Sequence, residues 1–226
     1  RGLMKFFLAA GRVAFTQSHR GDAFAGARRF LPHDEAGALV EWPGAALCLS
    51  QPGKGEGWVP CDKEETRKTY IQDESYLPTV LRLMFREFNS PKFILFMETL
   101  TGIEGLMPDP YLIGGGAHLS GPGDFLKIHA DFNWHHKLLA WRRVNALFYL
   151  NEVWDKEWGG ALEFWDKEMK SKVKEFYPEF NRLIVFSTSQ DSNHGHPHPL
   201  KVPSGNYRMA LNIYFYTRHA GDDDEE

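Results

Sequence analysis

Period-two alternation, returning in short segments set apart by glycine after Pro110, does most to limit what this chain can fold into. Side chains on a β-strand point alternately to its two faces, so alternation of this kind marks strands with one apolar side. Six such segments are read at 112–120, 125–131, 143–151, 161–165, 182–187 and 207–217. Upstream the period changes. Val80, Leu81, Met84, Phe85 and Phe88 recur at three- and four-residue steps, an apolar helix stripe with Pro78 in its first turn. Ser90-Pro91 then caps a second helix, over 93–100, that stops at Gly102. The expectation is an α+β chain, mainly β: helices first, then closely spaced antiparallel strands forming a jelly roll or related barrel.

The 226 residues suit one domain with a substantial core, read as a helix-and-loop layer over 1–110, a β-core over 111–217 and an acidic tail over 218–226. The first sixty residues carry no sustained period. Asp34 is a candidate cap for a short helix through Trp42, and 51–63, rich in glycine and proline around Trp58, reads as a long loop. The net charge of −4 comes largely from the acidic run at 222–226, which leaves a nearly neutral body. Such a body offers neither nucleic acid nor an anionic membrane an electrostatic partner. Cys48 and Cys61 make no disulfide framework and read as free thiols. No apolar run is long enough to span a bilayer, and 6–10 is too short for a secretory signal. A cytoplasmic location is expected, and a start at Arg1 rather than Met is consistent with an absent upstream segment.

Within 125–131 the alternation puts Leu126, Ile128 and Ala130 on one side and Lys127, His129 and Asp131 on the other. An imidazole and a carboxylate on adjacent pleats are two of the three ligands of a facial Fe(II) triad. By themselves they are more simply a strand-end His beside a surface Asp, since the pattern is short and both residues are common. A third ligand has to come from far along the chain, and 191–200 offers His194, His196 and His198. In the last strand Arg208, Ala210, Asn212 and Tyr214 share the face opposite Met209, Leu211, Ile213 and Phe215. An arginine inside a barrel is costly unless a carboxylate meets it, and a dicarboxylic co-substrate would supply one. Taken alone, Arg208 is equally a strand-end residue reaching solvent. Tyr149 falls on the polar-side set of 143–151 with Asn145, Leu147 and Asn151, where its hydroxyl either shares that carboxylate or bonds to backbone.

Taken in order, GGGAH at 114–118, HADFN at 129–133, RRVNALFYLN at 142–151, Gly159-Gly160 with LEFWD, FNRLIVFST, HGHPHPL and YRMALNIYFYT resemble the iron(II)/2-oxoglutarate dioxygenase superfamily, in its prolyl 4-hydroxylase-like branch. The likeness runs from about Asn89 to Thr217. It implies a double-stranded β-helix (jelly roll) core buttressed by helices. It also implies Fe(II) bound by His129, Asp131 and His194, and the 5-carboxylate of 2-oxoglutarate held by Arg208 with Tyr149. His118 and Asn212 are further candidates beside the co-substrate. His196 is then a pocket residue and His198 a solvent-facing one. Asn133, Trp134, Arg143 and Trp158 are candidates for the substrate mouth.

The activity implied is hydroxylation of an unactivated C–H bond, with O2 consumed and succinate and CO2 as co-products. A peptide, protein or small amino-acid-like substrate is expected, and the oligomeric state is open. Two rivals stand beside it. A non-redox cupin-like metalloenzyme would use the histidines without Arg208, and a jelly-roll ligand-binding module would need neither the metal nor a co-substrate.

Overall fold

A computed structural model describes residues 13–16, 56–64 and 66–220. The expected helix capped by Asp34, and Cys48, lie outside them. The order is β1 (Val13–Thr16), β2 (Val59–Asp62), β3 (Thr66–Ile71), α1 (Thr79–Phe88), α2 (Pro91–Thr101), β4 (Met107–Pro108), β5 (Gly116–Ser120), β6 (Phe125–His129), β7 (Trp134–His135) and β8 (Ala140–Tyr149). The chain continues through β9 (Leu162–Trp165), β10 (Lys172–Phe176), β11 (Leu183–Ser187), β12 (His194–His196) and β13 (Arg208–Thr217). Among the described residues three strands precede the helices, so the expected order of helices first does not hold there.

Both helices form where the sequence signals them. In α1 the three- and four-residue steps bury Leu81, Met84, Phe85 and Phe88 on one side, and Pro78 sits at the cap position rather than inside the first turn. In α2 the Ser90 hydroxyl accepts the Phe93 N–H, Pro91 takes the first helical position, and Gly102 ends the helix with a left-handed φ of 72°. These helices cover the outer face of the sheet. Val144, Ala146 and Phe148 of β8, with Met209, Leu211, Ile213 and Phe215 of β13, pack against them. Phe88 meets Phe93 and Phe148 with ring centroids 5.2 and 5.7 Å apart. Burial of a side chain of this size contributes about 1.5–3 kcal/mol, so this face carries much of the stability.

The sheet is almost wholly antiparallel and runs β1-β11-β8-β13-β5-β3-β6-β12-β9-β10, with only β1 and β11 parallel among the described pairs. It folds over so that the far half faces the near half. Leu162 and Phe164 of β9 thus pack on Leu147 and Tyr149 of β8, Ile184 and Phe186 of β11, and Ala210 of β13. That is a jelly roll, and its inner face is the one that alternation assigned to Asn145, Arg208 and their neighbours.

β1, β2, β3, β4, β7, β10 and β12 escape a reading by period. β2 falls inside the expected loop and β3 just after it, because VPCD and TRKTYI alternate poorly and neither is buried over most of its length. β10 (KVKEF) is an exposed edge strand whose charges discourage pairing with other chains.

Candidate metal centre and carboxylate pocket

The close approach of β12 to β6 builds the site. His194 pairs with His129 and His196 with Leu126, so the register shifts between them. Gly195 makes this possible: a Cβ there would lie 2.7 Å from the carbonyl oxygens of both Leu126 and Lys127. The shift also breaks simple alternation in β6, since Leu126 and His129, three residues apart, line the same cavity. The strand ends at His129, and Asp131 lies just beyond it.

His129, Asp131 and His194 bring one ligand atom each to within 4.8 Å of one another. The Nδ1 of His129 lies 2.8 Å from the Lys127 carbonyl, and that of His194 lies 2.8 Å from the Ser192 carbonyl. A carbonyl only accepts, so each Nδ1 carries a proton and Nε2 is the ring nitrogen turned inward. The Nε2 atoms lie 3.6 Å (His129) and 3.3 Å (His194) from Asp131 oxygens. Two imidazole nitrogens and one carboxylate suit Fe(II), so the residues fit the metal.

Asp131 is held from behind. Asn145 Nδ2 donates to Oδ2 at 2.6 Å, and Arg142 lies 3.1 Å from the same oxygen. Arg142 is itself only 1% exposed, bonded to Asn145 Oδ1 at 2.7 Å and stacked 3.4 Å over the Tyr214 ring. Burial pushes the Asp131 carboxyl up, but Arg142, His194 and His129 outweigh it and hold it well below the usual range. The carboxylate is thus kept anionic, with Oδ1 turned toward His129 and Oδ2 toward His194. Sequence reasoning missed Arg142 and named Arg143. Alternation puts Arg143 on the face of Asn145 and Leu147, and the register shift opposite Val144 and Arg142 that departs from it has no signal in the local pattern. Arg143 in fact bonds Thr217 and does not line the cavity.

The cavity holds about 220 Å³ and is lined by all three triad residues with Lys68, His118, His196, Arg208 and Asn212. Arg208 is 6% exposed; its Nε donates to the Gly160 carbonyl at 2.8 Å and a terminal nitrogen to the Tyr149 hydroxyl at 2.7 Å. Gly160, at φ +71°, has no room for a side chain, since a Cβ would meet Leu200 at 2.5 Å. Burial raises the Tyr149 phenol although Arg208 pulls it down, so the hydroxyl keeps its proton and can give it to a carboxylate. Among the described residues no carboxylate lies within 4.0 Å of Arg208.

The remaining candidates divide. His118 lines the cavity, but its Nε2 donates to the Gly115 carbonyl at 3.0 Å and its Nδ1 faces Asn212 Nδ2 at 2.9 Å. His196 is 4% exposed with its Nδ1 unpaired, and burial drives its pKa well down. It faces the cavity but stands outside the cluster of three, while His198 is exposed. Asn133, Trp134 and Trp158 do not line the cavity: Trp134 packs on Trp141, Trp158 on Trp154, and the Asn133 carbonyl accepts the Arg142 N–H. His194→Ala is therefore expected to lose Fe(II) affinity and His196→Ala to keep it within about tenfold, the scale of residues beyond the ligands. Titration of Fe(II) into the two variants under nitrogen checks this, and the reverse order would move the ligand by two positions.

A jelly roll with this cluster is suited to holding a metal ion. Residues 115–216, most of the β-core, match the model of the 2OG-Fe(II) oxygenase superfamily. The chain is 26% identical over 147 residues to prolyl 3-hydroxylase OGFOD1 of Mus musculus, covering 63% of this chain and 24% of that protein. It thus spans about a quarter of that relative's length. Among solved structures, a Pseudomonas putida prolyl-4-hydroxylase superposes with a TM-score of 0.51 at 19% identity, over 73% of this chain and 79% of that one. A Trichoplax adhaerens prolyl hydroxylase follows at a TM-score of 0.47 and 18% identity, over 71% of each chain. Among the described residues no helix is long and apolar enough to cross a membrane.

Proposed function

We propose that this chain is an Fe(II)- and 2-oxoglutarate-dependent oxygenase that hydroxylates a C–H bond in a prolyl, peptidyl or amino-acid-like substrate. One observation carries the reading: a two-His, one-carboxylate cluster and a buried arginine that has no carboxylate partner among the described residues line the same cavity. His129, Asp131 and His194 would hold the metal, and bound Fe(II) with 2-oxoglutarate and O2 supplies oxidative decarboxylation to succinate and CO2 coupled to hydroxylation. The protein's own part is positioning. Asn145 and Arg142 fix the Asp131 carboxylate, while Arg208 and Tyr149 offer a guanidinium and an O–H to the far carboxylate of the co-substrate. Leu126, Leu147 and Leu162 give the cavity apolar wall that limits water around the reacting groups.

The prolyl part of the proposal draws on the mouse relative, whose name describes a prolyl 3-hydroxylase. Incubation with Fe(II), 2-oxoglutarate and a library of proline-containing peptides tests it. The expected result is succinate formation that rises with one set of peptides, which gain the mass of one oxygen atom. Succinate production that no peptide or free amino acid stimulates would remove the substrate class and leave the co-substrate reading standing.

A further inference from the structure

Lys68 is a charged residue in the cavity that the activity just proposed does not use. It lies on β3, where Ile71 joins the helix-side core and alternation turns Lys68 and Tyr70 to the inner face. β3 pairs with β5 through Thr69↔Leu119 and Tyr70↔His118, and Arg208 pairs with Ser120 on the other side of β5. One further step of the same register sets Lys68 beside Ser120. The two cations thus rise from one row, two strands apart, on either side of a serine that also lines the cavity. Lys68 then leans along β5, and its Nζ comes within 3.4 Å of His118 Nδ1.

His118 explains that lean. Its Nε2 must carry the proton, because its partner is the Gly115 carbonyl, so Nδ1 is a lone pair that receives both Asn212 and Lys68. Burial, with Lys68 and Arg208 nearby, keeps this ring well below the usual imidazole pKa and so neutral. A neutral ring orients the ammonium without cancelling its charge. Among the described residues no carboxylate lies within 4.0 Å of Lys68. The charged lining is Lys68, Arg142 and Arg208 against Asp131 alone, and Asp131 already pairs with Arg142. Two cations are left facing a cavity that suits a small dianion.

We propose that Lys68 is a second cationic contact for the co-substrate dicarboxylate, standing beside Arg208 and aimed by His118. The inference rests on the oxygenase reading but adds a residue from outside the matched segment 115–216. Calorimetric titration of 2-oxoglutarate into metal-free protein tests it, because chelation then contributes nothing and the side-chain contacts are read alone. Lys68→Met, close in length and unable to donate, should weaken binding by about ten- to a hundredfold, the scale of a hydrogen bond to a charged group. Lys68→Arg should return it to within about threefold of wild type. Thermal unfolding of all three proteins at one temperature range establishes that the fold is kept. Equal affinity for wild type and Lys68→Met, with Arg208→Ala still impaired, overturns the role of Lys68 and leaves the oxygenase reading intact. A wild-type protein that binds no 2-oxoglutarate, with or without Fe(II), overturns both.

Discussion

Asp131→Asn is expected to abolish Fe(II)-dependent turnover while leaving the protein folded. Asp131 is the only anion among the three ligand-type side chains, and its charge is what a dication gains over two neutral imidazoles. The amide keeps the shape but loses the charge and turns N–H groups toward the site. Asp131→Ala removes more. Both variants leave Arg142, 1% exposed, without its carboxylate, and breaking a buried pair in this way costs about 3–5 kcal/mol of stability. The amide still offers Arg142 and Asn145 an acceptor, so both variants lose activity and unfold at lower temperature, with Asp131→Ala the lower of the two. Iron affinity by anaerobic titration and unfolding by circular dichroism measure the two effects. Full succinate production by Asp131→Asn would remove Asp131 from the metal site.

Arg208→Ala is expected to weaken 2-oxoglutarate binding by about 2–5 kcal/mol, at least about thirtyfold in Kd, since a carboxylate would enter a buried pocket without its guanidinium. Arg208→Lys should fall between, because lysine keeps the charge but neither the planar fork nor simultaneous contact with the Gly160 carbonyl and the Tyr149 hydroxyl. Tyr149→Phe should cost less than either, about 0.5–1.5 kcal/mol, the scale of one hydrogen bond. An unchanged Kd in Arg208→Ala would mean that another cation anchors the acid, and Lys68 is the one to test, since Arg142 already pairs with Asp131.

Much of this was legible in the chain because period decides face. The alternation that put Arg208, Asn212 and Tyr214 opposite Met209, Leu211 and Phe215 is the division seen between cavity and helix-side core. The steps of Val80–Phe88 gave α1, and Ser90-Pro91 with Gly102 bounded α2. What escaped is what period cannot encode. β12 is three residues long, too short to alternate, and its shifted register depends on how closely Gly195 lets two backbones approach. Lys68 went unread because β3 carries Thr, Arg, Lys, Thr and Tyr in succession, which looks like solvated chain until Ile71 and the β5 register fix its faces. Arg142 was off by one residue from Arg143. The ion pair with Asp131 that singles it out spans a turn and a strand, and no local pattern records it. The mouth candidates Trp134 and Trp158 illustrate the commoner fate of aromatics near a site, which is to pack on another aromatic ring.

The central claim is that His129, Asp131 and His194 hold Fe(II) next to a 2-oxoglutarate pocket anchored by Arg208. Its most direct test is the visible absorption of the protein with Fe(II) and 2-oxoglutarate under nitrogen, followed by air. The account predicts a weak charge-transfer band that needs both additions, is missing in Asp131→Asn, and requires more 2-oxoglutarate in Arg208→Ala, with succinate appearing once oxygen enters. A wild-type protein that shows no band and forms no succinate under these conditions would contradict it.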